Sequence, residues 1–136
     1  MKKILLIAIF IIIFCFSACS KKEEVTTKQI SLQIGTYTLE DAKEGFPVPY
    51  ITLKENQEFI FEYSPLSSTI PIGSYERKED NLILTNNSEK GEQYYFKIEE
   101  GKLVFQKEQS YELPIFARET IYDGVVFVFQ EEQEEK

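Results

Sequence analysis

Between residues 32 and 129 apolar and polar side chains alternate with a period of two, the pattern of strands that bury one face. Phe59, Phe61 and Tyr63 fall on one side of their run and Glu58 and Glu62 on the other. Tyr94, Phe96 and Ile98 oppose Tyr95, Lys97 and Glu99, and Ile51 with Leu53, Leu82 with Leu84 and Leu103 with Phe105 give three more runs an apolar side. The runs are rich in Ile, Val, Thr, Tyr and Phe, and no helical periodicity competes with them. The pattern predicts strands over Leu32–Leu39, Tyr50–Lys54, Gln57–Tyr63, Gly73–Lys78, Asn81–Thr85, Gln93–Glu99, Lys102–Gln106 and Val125–Phe129. Most breaks hold turn residues, among them Glu55-Asn56, Asp80-Asn81, Asn86-Asn87-Ser88 and Glu100-Gly101. Links this short join antiparallel neighbours. Three links are longer: Glu40–Pro49, Ser64–Ile72 and Lys107–Gly124. The expected fold is all-β, a single antiparallel up-and-down meander of about eight strands forming a small barrel or a strongly curled sheet, after a helical signal segment. The last run, Gly-Val-Val-Phe-Val-Phe, is apolar on both faces and is expected to be covered on both, closing the sheet.

An internal echo runs through this pattern. Ile34-Gly35-Thr36-Tyr37 recurs as Ile72-Gly73-Ser74-Tyr75, 38 residues later, and each copy leads to an apolar strand and then an aromatic one. It suggests two similar three-strand units followed by two closing strands. Glycine at the head of each copy suits a bulge or a close backbone approach, with the tyrosine packed beneath it.

The first residues follow another logic. Lys2 and Lys3 precede an unbroken apolar run of 13 residues, Ile4 to Phe16, and then the small Ser17 and Ala18. This is the order of a secretory signal, and the run is short for a membrane span. Phe16-Ser17-Ala18-Cys19 resembles a lipobox, where bacterial lipoprotein signal peptidase cuts before a diacylglyceryl cysteine; Phe stands where Leu is usual. That resemblance implies a lipidated Cys19 as mature N-terminus and a place on the extracytoplasmic face of the cell membrane. Cys15 lies within the apolar run, so the exported part has no cysteine pair to form a disulfide and must hold together by its core. The expected organisation is a signal peptide at 1–18, the lipidated cysteine and polar tether at 19–28, the β-barrel domain at 29–130 and an acidic tail at 131–136.

Charge narrows the partners. The chain holds 15 Lys and Arg against 23 Asp and Glu; without Lys2 and Lys3, 13 bases face 23 acids, a balance of −10. Nucleic acid is an unsuitable partner for such a surface, and a basic protein or peptide a suitable one. There is no histidine, so neither a Ser-His-Asp nor a Cys-His nucleophile system can be assembled. No phosphate-binding glycine loop is present, and the aspartates lack the spacing of a calcium loop. No cofactor, metal site or catalytic residue is expected.

The Gly-x-Tyr opening followed by a meander resembles the calycin group of lipocalins and avidin-like barrels, which usually open with Gly-x-Trp. Residues 58–106, from SPLSSTIPIGSYERKEDNLILT to YYFKIEEGKLVF, are similar to extracytoplasmic β-domains of low-GC Gram-positive bacteria, found as small lipoproteins or at the end of membrane metallopeptidases. These resemblances imply fold and location and carry no catalytic residue onto this chain. Two segments are candidates for binding. Ser64–Pro71 is fenced by Pro65 and Pro71 and offers the hydroxyls of Ser67, Ser68 and Thr69; it either binds or caps the barrel. Gly45–Tyr50 offers Phe46 and Tyr50, which either meet a partner or tuck under the sheet. The function expected is that of a non-catalytic, membrane-anchored surface lipoprotein whose β-domain binds a protein or peptide partner at the cell envelope. The alternative is a lipocalin-like carrier with a small apolar ligand inside the barrel. Interior volume separates the two.

Overall fold

Eight antiparallel strands follow one another round a closed barrel in the computed structural model, which describes residues 31–42 and 47–131. They are β1 (Gly35–Leu39), β2 (Tyr50–Leu53), β3 (Glu58–Glu62), β4 (Ile72–Lys78), β5 (Asn81–Asn86), β6 (Gln93–Glu99), β7 (Lys102–Phe105) and β8 (Val126–Phe129). Each pairs with its chain neighbour, and β8 pairs with β1 through Tyr37–Phe129 and Leu39–Phe127. Closure leaves no sheet edge unpaired. The strands are staggered, as a barrel requires: Glu40, just past β1, reaches Lys102 at the start of β7. The expected signal segment, the tether, Cys19 and residues 132–136 lie outside the described residues.

The period-two pattern sorts inside from outside as the sequence requires. Tyr37, Ile51, Phe61, Leu84, Phe96 and Phe127 point inward and are fully buried. Phe61 sits at the centre, with ring centroids 5.3–6.2 Å from Tyr63, Tyr94, Phe96 and Phe127. All four contacts are edge-to-face, the geometry the ring quadrupole favours. Each fully buried side chain of this size contributes about 1.5–3 kcal/mol of burial free energy.

The two Gly-x-Tyr copies occupy equivalent places three strands apart. Tyr37 and Tyr75 both point inward, and both hydroxyls donate to backbone carbonyls beyond their own strand: Tyr37 to Gln33 at 3.0 Å, Tyr75 to Lys54 at 2.9 Å. The glycines are needed for different reasons. Gly35 has φ +135° and a Cβ there would press on the Phe129 ring at 2.8 Å, whereas a Cβ on Gly73 would lie 2.0 Å from the Thr85 carbonyl oxygen.

Three details differ from the pattern's expectations. The last strand closes the barrel, but only Phe127 in it is fully covered: Phe129 on the same inward side is partly buried, as are the outward Val126 and Val128. Ile83 points outward yet is buried, beside its cross-strand partner Tyr95. The link from 107 to 124 is folded, with a 3-10 turn at Lys107–Gln109 and a one-turn helix, α1 (Ile115–Arg118).

Candidate functional site

An antiparallel meander puts its connections alternately at two ends. The turn end carries the entry to β1 and the turns after Leu53, Lys78 and Glu99; the loop end carries the links after Leu39, Glu62, Asn86 and Phe105. Every long link therefore falls at the loop end, and so do Ser64–Pro71 and the described part of Gly45–Tyr50.

The link from Tyr63 to Pro71 is tied to itself. Ser64 is buried, its hydroxyl oxygen accepts the Leu66 N–H, and its carbonyl accepts the Ser67 N–H at 3.1 Å. The Ser67 hydroxyl donates to the Thr69 carbonyl and lies 3.3 Å from the Tyr63 hydroxyl, so it knits the loop together. Ser68 and Thr69 are exposed. What the loop presents most is apolar: Leu66 is 80% exposed, and Ile70 and Ile72 stand out beside it. Tyr50 opens β2 on the outer face, opposite Glu62, and its hydroxyl donates to that carboxylate at 2.8 Å. This hydrogen bond, with some burial, raises the Tyr50 phenol above its ordinary range. Phe46 lies outside the described residues.

The 107–124 link forms a lid over the same end. Leu113, Ala117 and Ile121 turn inward and join the barrel core, at the i, i+4, i+8 spacing of a helical face. The lid is pinned along its length. The Ser110 hydroxyl accepts the Tyr95 N–H and donates to the Gln106 carbonyl, both at 2.8 Å. The Tyr111 N–H donates to the Gln93 carbonyl at 2.7 Å, and Asp123 accepts the Lys107 N–H at 2.8 Å. Arg118 pairs with Glu112 at 2.8 Å and also donates to the Leu113 carbonyl. Among the charged residues on the outer side of the lid stand exposed apolar ones: Ile115 is 78% exposed, with Phe116, Tyr111 and Tyr122 also exposed. Sequence reasoning passed over these residues; the signal was the four-residue spacing of Leu113, Ala117 and Ile121 inside a link without strand alternation.

Beneath the lid lies a layer of phenols. Burial pushes Tyr94 strongly up from the ordinary value near 10, and the neighbouring Glu92, Tyr63 and Tyr111 add to the shift. A small cavity of about 70 Å³ opens between lid and barrel, lined by Phe105, Ser110, Leu113 and Ile121, with Tyr111, Glu112 and Arg118 at its side. Two larger hollows, of about 700 and 630 Å³, are open grooves, one beside the entry to β1 and one along the wall at Val104 and Val126. Tyr75 lines the first groove and Phe105 the small cavity, and none of these three reaches Phe61, Tyr94, Phe96 or Phe127.

Among the described residues no group of carboxylates or cysteines is gathered to hold a metal ion, and no helix is long and apolar enough to cross a membrane. Fold and site together define a small, eight-stranded up-and-down barrel with an aromatic core and one lidded end that bears exposed apolar side chains among charged ones. Compared with protein-family models, with curated proteins and with solved structures, the chain gives no match.

Proposed function

We propose that this protein is a non-catalytic surface lipoprotein, held in the membrane by a lipid on Cys19, whose barrel binds a protein or peptide partner at the cell envelope through its loop end. The observation that carries the reading is that exposed apolar side chains, Leu66, Ile70, Ile115 and Phe116 among them, stand on two hydrogen-bonded loops at the same end of the barrel. Exposed apolar groups on ordered loops lose little entropy on binding and gain by leaving water. The packed aromatic interior supports this reading over that of a carrier. The lack of histidine supports a non-catalytic role, and the acidic balance suits a basic partner.

The chain enters β1 at the turn end, opposite the end that carries the long links. Cys19→Ala should leave the precursor uncut and unlabelled by radioactive palmitate; normal processing of that variant would refute the anchor. For the binding role, the protein purified from envelope extract should retain a protein that Leu66→Asp or Ile115→Asp releases. Recovery of a stoichiometric small apolar molecule instead, by native mass spectrometry, would favour the carrier.

A further inference from the structure

We infer that the lid is the docking site, and that it takes a segment of protein chain with one aliphatic anchor residue flanked by lysines or arginines. The inference rests on the binding role proposed above and says where and by what chemistry the partner is held.

The anchor follows from the cavity. Its floor is the buried Phe105, Leu113 and Ile121, and its rim is the exposed Tyr111, Glu112, Lys107 and Arg118, with Glu112 and Arg118 paired to each other. About 70 Å³ accommodates a small aliphatic side chain and is too little for an indole. Anchors of this kind, set in a preformed pocket, supply most of the energy of an interface. The pocket is preformed because the lid is fixed at Ser110, Tyr111 and Arg118 by hydrogen bonds to barrel or lid backbone. Ile115 and Phe116 extend the apolar surface outward from it.

The flanks follow from charge. The lid carries Glu108, Glu112, Glu119 and Asp123 against Lys107 and Arg118, and Arg118 is already paired with Glu112. A cationic segment relieves this excess of negative charge. A second copy of this chain, with its own net charge of −8, would add to it, as would a bilayer of anionic lipid. The chain's own acidic tail follows β8, whose last residue lies at the turn end, and has the wrong sign.

The test uses the full chain in nanodiscs of zwitterionic lipid, with empty nanodiscs as the blank. The probe is a fluorescent lysine-rich peptide with one central leucine, beside twins with alanine for the leucine or glutamate for the lysines. Anisotropy should show binding of the leucine probe, weakening of about tenfold for the alanine twin and no binding of the glutamate twin. Ile115→Asp and Glu112→Lys should each weaken the leucine probe by about tenfold, while Glu55→Lys, an exposed change of charge at the turn end, leaves it unchanged. Unaltered melting curves would show that these variants fold. Failure of the probe to bind, or binding indifferent to both lid variants, overturns the lid as the site. Displacement of the probe by anionic vesicles that bind the lid overturns it in favour of a membrane contact. If Leu66→Asp but neither lid variant releases the captured envelope protein, the lid assignment falls and the binding role stands; if none of the three does, the binding role falls too.

Discussion

The two ends of this barrel solve opposite problems with the same alternating strands. At the turn end the chain reverses in two to four residues and accepts backbone cost to do so. Gln57, Glu79 and Glu100 all sit there with positive φ, and Glu100-Gly101 has φ positive at both positions, as a two-residue hairpin of type I′ requires. Tyr37 and Tyr75 then latch the adjoining backbone from inside. At the loop end the described non-glycine residues of the longer links avoid positive φ, but large apolar side chains are left in water. The first end spends conformational strain on a tight closure. The second keeps relaxed loops, ties them by hydrogen bonds and leaves surface unburied. Strain at one end and exposed apolar surface at the other mark where structure is served and where an encounter is served.

The contrast predicts a graded response to mutation. The largest effect belongs to neither end but to the core they share: Phe61→Ala should cost about 3–5 kcal/mol, because it empties the centre of the aromatic cluster. A chemical-denaturation midpoint close to wild type would mean that the cluster repacks. At the turn end, Tyr37→Ala and Tyr75→Ala should each cost about 2–4 kcal/mol, and Tyr→Phe at either place about 1 kcal/mol for the lost hydrogen bond. Near-neutral values at both tyrosines would break the equivalence of the two Gly-x-Tyr copies.

Tyr94 gives the loop end its own signature. Its folded-state pKa is raised, chiefly by burial, above the ordinary value near 10. A raised value means the folded state holds the phenol proton more tightly than the unfolded chain. The stabilisation is therefore complete below about pH 10 and is lost as pH climbs above it. Tyr37 and Tyr75 are raised in the same direction by burial, so the turn end contributes to the same decline. Denaturation midpoints taken from about pH 8 to about pH 12 should fall above pH 10, and Tyr94→Phe should flatten that fall most. An identical slope in wild type and Tyr94→Phe would show that the phenol is not held neutral by the fold.

The smallest change in stability is expected where the change in binding is largest. Leu66→Asp and Ile115→Asp replace side chains that are about four-fifths in water already, so each should shift stability by no more than about 0.5 kcal/mol. A loss well beyond that would place these residues in the structural half of the comparison.

Much of this was legible in advance because strand alternation is a local signal. Pleated backbone sends successive side chains to opposite faces, so Phe59-x-Phe61 and Leu82-x-Leu84 declared their buried sides without reference to any partner. The eight strands lie within one or two residues of the predicted ones at nearly every boundary; β1, which starts at Gly35 rather than Leu32, is the exception. There the left-handed φ of Gly35 and the bond from the Tyr37 hydroxyl to Gln33 bend the chain out of the sheet. The candidate site was legible only in part. The proline-fenced loop announced itself by composition, but its hydroxyls turned out to divide the work: Ser67 holds the loop, and Ser68 and Thr69 face water. The lid was hidden because a one-turn helix is too short for a periodic pattern to stand out from a loop.

By itself, then, the sequence determined the number of strands, their order and the face each one buries, since all three depend on residues close together in the chain. Tertiary structure alone decided that β8 meets β1 to close a barrel, that Gly73 must pass against the Thr85 carbonyl, and that Leu66 and Ile115, 49 residues apart, stand exposed at the same end. Those outcomes depend on the stagger of eight strands summed around the ring, and no local stretch of chain carries that sum.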